Sequence, residues 1–265
     1  MKKTIVIAGA VVLVVLAAVF AAGCVSEPAK TVTCYDDLIG AKIAVQTGTT
    51  GDYEVTAIAD ANPGTTVERF NKIVDGVQSL KNGKVDCAVV DIETAKNYVS
   101  EGSGLKIIED PAFVPEEYAF AVKKNRTQFL NELNTAIAEL KADGTFDKIN
   151  KYYLGLDGGE QYQKAEGIDY KGDLKVATNA EFPPYEFKDG EKYVGIDMDV
   201  MQAIADKLEL KLVVNDIAFD SVLVSIQSGK DDVGAAALTV TEDRLKNVDF
   251  TDVYASTVQV IIVKA

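Results

Sequence analysis

The sequence predicts an α/β fold organised as two lobes, on three observations. Short apolar runs alternate with amphipathic stretches from Lys42 onward, the rhythm of strands joined by crossover helices in a parallel-rich sheet. That rhythm stops in a polar, glycine-rich stretch at residues 154–173 and restarts at Leu174, so the interruption reads as a linker. Leu80-Lys-Asn-Gly83-Lys84-Val-Asp86 recurs as Ile226-Gln-Ser-Gly229-Lys230-Asp-Asp232. Each copy ends a helix with Gly-Lys and enters a buried strand with Asp. Two such lobes leave a cleft at the carboxyl ends of their strands, a natural place for a small ligand.

The elements follow in order. KIAVQ (42–46) is a strand, and a helix follows the Gly48-Thr49-Thr50-Gly51 turn. Residues 65–70 form another strand, and Ile73, Val77 and Leu80 have helical spacing. DCAVVD (86–91) is a buried strand, with a helix around Ala95 and Tyr98; LKIIED and YAFAVKK (118–124) are further strands. Residues 125–154 are helical, with Phe129, Leu130, Leu133, Ile137 and Leu140 on one face. Gly144 closes that helix and Thr145 caps the next. After the linker, LKVAT (174–178) is a strand, and Met201, Ile204, Ala205 and Leu208 line a helix. KLVV is a strand, Val222, Leu223 and Ile226 mark a helix, and DVGAAAL is a buried strand. Thr241 caps a helix whose first turn holds Glu242 and Asp243, as the macrodipole prefers. VQVIIV (258–263) is the last strand.

Composition narrows the function. The chain has 265 residues, 48% hydrophobic and 26% charged, an ordinary globular balance. Lys and Arg number 27 against 41 Asp and Glu, a net charge of -14 that disfavours a nucleic-acid partner. There is no histidine, which removes His-based triads, general acid–base catalysis and metal ligation. Three cysteines are too few and too scattered for a zinc or iron–sulfur cage. A binder without metal or cofactor is the expectation.

The N-terminus sets the compartment. Two lysines precede an uncharged apolar run at residues 5–22, the pattern of an export signal. The run is also about long enough to span a membrane, so an uncleaved anchor helix is the alternative. Ala22-Gly23-Cys24 looks like a lipobox, in which Cys24 is lipidated and becomes the mature N-terminus. Either way the remainder lies outside the cytoplasmic membrane. Export permits a Cys34–Cys87 disulfide, but Cys87 sits in an apolar run and reads as a buried free thiol.

Specific segments carry a family resemblance. LKVATNAEFPPYEF, YVGIDMDVMQAIADKL and FDSVLVSIQSGKDDVGAAALTVTEDRLKNVDFTDVY resemble the first lobe of the extracellular solute-binding proteins of family 3. These are the polar amino-acid capture subunits of ABC importers. DLIGAKIAVQTGTTGDY, LKNGKVDCAVVD, EEYAFAVKKN and LNTAIAELKADGTFDKINKYYLG resemble the second lobe, the return hinge strand and the closing helices. The resemblance covers nearly all of the chain after Thr33 and implies a type II periplasmic-binding-protein-like fold. The lobe order is reversed, which implies a circular permutation; a gene-fragment or tandem-copy origin would explain it too. The divisions expected are a signal peptide (1–23), a tether (24–33), lobe 2 (34–117), hinge strand and closing helices (118–155), a linker (156–172) and lobe 1 (173–265). In this reading only the crossing near residues 118–123 stays covalent, and the second hinge strand still pairs with it.

The resemblance also implies a site. Arg244, in TVTEDR, stands at the family's carboxylate-binding arginine, whose planar fork suits a carboxylate. Thr239 adds a hydroxyl and a backbone N–H, and Ala237 backbone groups. Thr49 and Thr50 precede a helix whose free N–H groups attract an anion. Asp91 takes the ligand's ammonium, caps the helix of IETAKNY, or does both. Phe182 and Phe219 match aromatic walls around the ligand side chain; their other reading is core. Asn179 stands where many relatives carry Asp, against a cationic ligand; Glu181 and Glu186 argue the other way if they face the cleft. Gln46 is placed to bond a polar side chain. The expected ligand is a free amino acid, glutamine-like or cationic. The expected partners are an ABC permease and the membrane, reached through a lipid anchor or N-terminal helix. A sensor, an inactive remnant or a cyclohexadienyl-type dehydratase is the alternative function.

Overall fold

The computed structural model describes residues 30–265; the expected signal peptide, Cys24 and most of the tether lie outside the described residues. The N-terminal part runs β1 (Lys42–Gln46), α1 (Thr50–Ala61), β2 (Thr66–Phe70), α2 (Ile73–Lys81), β3 (Cys87–Asp91), α3 (Ile92–Tyr98) and β4 (Leu105–Ile108). Two short strands, β5 (Glu116–Tyr118) and β6 (Ala121–Lys123), lead into α4 (Thr127–Ala142) and α5 (Thr145–Tyr153). The second part runs β7 (Gly172–Thr178), β8 (Glu181–Phe182), β9 (Glu186–Asp189), β10 (Lys192–Val194), α6 (Ile196–Lys207), β11 (Leu210–Asp216) and α7 (Phe219–Ser228). It finishes with β12 (Val233–Gly234), α8 (Glu242–Leu245), β13 (Val248–Phe250), β14 (Ala255–Thr257) and β15 (Gln259–Lys264).

These make two five-stranded sheets, ordered β2-β1-β3-β15-β4 and β11-β7-β12-β6-β13. Each is mixed: β1 runs parallel to β2 and β3, and β7 parallel to β11 and β12, while β15 and β6 enter their sheets antiparallel. The repeated Gly-Lys…Asp segment has the same job in both lobes. Asp86 donates its N–H to Lys42 O at 2.8 Å and accepts Lys42 N–H at 2.8 Å. Asp232 donates to Lys175 O at 2.8 Å and accepts Lys175 N–H at 3.1 Å. Each aspartate thus ties the entry of one strand, β3 or β12, to the neighbouring strand, β1 or β7.

The chain crosses between lobes twice, and both crossings are covalent, contrary to the single one expected. β5 leads to β6, which belongs to the other lobe's sheet; β13 leads through β14 to β15, which returns to the first. The two hinge strands pair antiparallel, Tyr118 with Ala255 and Glu116 with Thr257. Residues 259–264, assigned from sequence to the C-terminal lobe, therefore complete the N-terminal one. A buried apolar strand reads alike whichever sheet receives it.

Smaller departures have local causes. YAFAVKK is split in two because the chain changes lobes inside it, and only Val233–Gly234 of DVGAAAL is strand. Gly144, with φ 80°, is the N-cap of α5, and Thr145 is its first residue; the left-handed turn needs glycine there. The hairpin-like sheet β10-β9-β8 has strands too short for periodicity to reveal. Residues 156–171 hold no helix or strand but are fastened to α6, with Tyr162 N–H on Asp199 Oδ2 at 3.1 Å and Ala165 N–H on Asp206 Oδ2 at 2.8 Å. Leu133, Ile137 and Leu140 form the buried face of α4 as their spacing predicts. Cys87 is a buried free thiol pushed up to about 12 by burial, and Cys34 is free. Among the described residues no helix is long and apolar enough to cross a membrane.

Candidate ligand-binding site

Every expected ligand residue but Asn179 lines one small space between the lobes. The N-terminal lobe supplies Gln46 at the end of β1, Thr49 and Thr50 at the start of α1, and Asp91 at the end of β3. The C-terminal lobe supplies Phe182, Phe219, Ala237, Thr239 and Arg244, together with Ala236, which sequence reasoning missed. The strand ends that meet here are carboxyl ends, as the α/β connectivity requires.

Arg244 is 7% exposed and fixed at both ends of its fork. Its Nη1 donates to Thr239 O at 2.9 Å and its Nη2 to Gly48 O, across the cleft, at 3.2 Å. The guanidinium carbon lies 5.6 Å from the Phe219 ring centre. Burial pulls the guanidinium below its ordinary pKa. Thr241 caps α8 as expected, accepting Arg244 N–H at 3.2 Å, so the short helix that aims Arg244 is locked at its start.

Asp91 is 5% exposed. It occupies the N-cap position of α3 but makes no side-chain cap bond, so that reading of its carboxylate does not hold. Instead Tyr118 Oη donates to Asp91 Oδ1. Burial, and then the charge of Glu116, push the carboxyl up to about 6. Thr49 is the helix cap proper: its hydroxyl accepts Asp52 N–H at 3.2 Å and donates to Gln46 O at 2.9 Å. Its proton is thereby committed, and the donors the helix offers a ligand are the unpaired N–H groups of its first turn.

Ala237 has φ 46°, an uncommon conformation for a residue with a Cβ. Asp197 holds it there, accepting Ala237 N–H at 3.0 Å and Tyr254 Oη–H at 2.7 Å. Burial raises Asp197 to about 7. Beside it, burial and the Asp197 charge hold Glu186 well above the ordinary carboxylate range. Glu186 is 1% exposed and does not face the cleft. Glu181 does not face it either: it bridges the lobes by an ion pair with Lys72. Neither therefore supports a cationic ligand in the way expected. Asn179 sits behind the lining, accepting Gln46 Nε2 at 2.8 Å. Phe182 is buried, half-stacked on Tyr185, and still reaches the space, so its core and ligand readings coexist.

The model of the bacterial extracellular solute-binding proteins, family 3, matches residues 38–156 and 174–265. The chain belongs to this family. The unmatched stretch between the two blocks is the linker segment described above. The fold is that of a type II periplasmic-binding-like protein, two α/β lobes joined by paired hinge strands. Among relatives, the chain is 32% identical over 49% of its length to a probable histidine-binding protein of Neisseria gonorrhoeae, of which it covers 50%. It is 34% identical over 36% of its length to the arginine-binding extracellular protein ArtP of Bacillus subtilis, covering 37% of it. A solved ancestral arginine-binding protein bound to glutamine is 48% identical over 31% of this chain and 37% of its own, with a TM-score of 0.30. The chain thus spans half or less of the length of these curated relatives.

Proposed function

We propose that this protein is the amino-acid-binding subunit of an ABC importer, capturing a polar amino acid between its lobes and presenting the closed form to a permease. One observation carries the reading: Arg244 and Asp91, from opposite lobes, line the same small space. A guanidinium for the α-carboxylate and a carboxylate for the α-ammonium are what a zwitterion needs. Because the ligand would touch both lobes, its binding energy favours the closed arrangement.

The ligand side chain lies between Phe182 and Phe219, towards Gln46 and Asn179. The relatives named for arginine, histidine and glutamine support a polar side chain, glutamine-like or cationic. The circular permutation is part of the same proposal, supported by the two matched blocks and by β15 completing the sheet of the N-terminal lobe. So are secretion, removal of the signal peptide and lipidation at Cys24. The test is a thermal-shift screen of the 20 common amino acids on the chain from Cys24. A ligand at a hundred times its Kd stabilises by about 2.7 kcal/mol, a clear rise in Tm. No shift with any of them would sink the proposal.

A further inference from the structure

Besides Thr49, two threonine hydroxyls of the cleft are already committed. Thr50, in one lobe, and Thr239, in the other, both donate to Glu116 Oε2, at 2.7 and 2.6 Å. Glu116 lies outside both five-stranded sheets; it opens the hinge strand β5. Its other oxygen accepts Gln259 Nε2 at 3.2 Å, and that same nitrogen donates to Thr50 Oγ1 at 3.3 Å. Thr50 therefore spends its proton on Glu116 and receives one from Gln259.

A hydroxyl has one proton and two lone pairs, and an ionised carboxylate only accepts. While Glu116 is ionised, neither threonine can turn its proton towards the cleft. What both offer a ligand is a lone pair. A carboxylate facing them meets only acceptors, whereas an ammonium finds two, beside Asp91. The α-carboxylate is left to Arg244 and to backbone N–H groups. The charge of Glu116 reaches both Asp91 and Arg244, so it also adds to the pull on a cation.

We propose that Glu116 is a positioning residue that fixes the hydrogen-bond polarity of the cleft, committing Thr50 and Thr239 as acceptors and making the ligand's ammonium obligatory. This rests on the amino-acid reading above and changes one part of it. The threonine hydroxyls serve the ammonium rather than the carboxylate.

The experiment compares L-arginine and L-glutamine with their 2-hydroxy analogues, in which a hydroxyl replaces the ammonium, by calorimetry on wild type, Glu116→Gln and Thr239→Val. Wild type is expected to prefer the amino acid by about 100-fold or more, as an unpaired buried carboxylate costs several kcal/mol. Glu116→Gln places an amide donor beside the hydroxyls and frees their protons, so the preference should fall by about tenfold or more. Thr239→Val should weaken the amino acid and spare the analogue. A merely structural role for Glu116 would scale both ligands alike and leave the ratio unchanged. An unchanged ratio in Glu116→Gln, or equal losses for both ligands in Thr239→Val, overturns the proposal alone. A wild type that binds neither amino acid overturns the amino-acid reading and the proposal with it.

Discussion

Gln46 and Asn179, from opposite lobes, join their side-chain amides, Gln46 Nε2 donating to Asn179 Oδ1 at 2.8 Å. Two more amide protons are engaged inside the protein: Gln46 Nε2 also donates to Asn71 O at 3.1 Å, and Asn179 Nδ2 donates one proton to Ile217 O at 2.9 Å. The side-chain end of the site is thus uncharged and rich in acceptors. Asn179→Asp keeps the acceptor facing Gln46 and adds a charge. We expect the ratio of arginine to glutamine affinity to rise about tenfold, the effect of roughly 1.4 kcal/mol. The variant should lose a little stability, because its second oxygen faces the Ile217 carbonyl. Calorimetry with both ligands decides; an unchanged ratio would show that the ligand side chain never approaches Asn179.

Arg244→Ala removes the only buried cation that lines the space among the described residues. We expect amino-acid affinity to fall by at least 100-fold, since losing the partner of a buried charged hydrogen bond costs about 2–5 kcal/mol. Among the described residues its side chain bonds Thr239 O and Gly48 O and rests over Phe219; losing these few contacts should leave a cooperative unfolding transition. Near-wild-type affinity would refute the site assignment.

Protonation of Asp91 gives binding a pH dependence of known sign. In the free protein its carboxyl is raised to about 6, by burial first and Glu116 second. An ammonium beside it favours the ionised form, so binding expels a proton below that value. Affinity should tighten by up to about tenfold per pH unit up to pH 6, then level off. Asp91→Asn should bind weakly and without this slope. A flat profile in wild type would place the ammonium elsewhere.

The stability of the unliganded protein should run the other way. Asp91, Asp197 and Asp199 are all raised by burial, to about 6, 7 and 6. Between about pH 4 and 7 the folded state keeps protons that the unfolded chain has released, so their contribution falls as pH rises. Asp197→Asn should flatten the curve of Tm against pH. If the slope survives that change, Asp197 does not carry it.

Gly51 sits where α1 meets the hinge side of the sheet. A Cβ there would lie 2.7 Å from Gln259 Oε1 and 3.4 Å from Val89 Cγ1. Gly51→Ala is expected to cost about 1–3 kcal/mol, typical of overpacking, despite the better helix propensity of alanine. A Tm equal to or above wild type would mean that Gln259 moves aside freely.

Much of this was legible from residues alone. The β/α rhythm, the repeated Gly-Lys…Asp segment and the cap at Thr241 are local features, decided within a few positions. The meeting of Thr50, Asp91, Thr239 and Arg244 was available through family resemblance. Glu116 was not singled out, because nothing near it is periodic and its partners lie 66, 123 and 143 positions away. Asp197 reads as an ordinary polar position until packing encloses it against Tyr254 and Ala237, and Glu186 as a possible cleft carboxylate until the fold buries it away from the cleft. The destination of β15 was hidden for a different reason. Alternation and apolarity describe burial, and burial is the same in either sheet.

The strand β15 lies between β3 and β4, yet its residues are synthesised after the whole of the second lobe. On a ribosome, or emerging from a translocation pore, the N-terminal lobe would wait with an open slot at the middle of its sheet. Only β15, made after the second lobe, can fill it. Until then, unpaired edges of β3 and β4 are exposed to any passing strand. A nascent chain of this design has reason to remain unfolded, or in the care of a chaperone, until β15 is delivered.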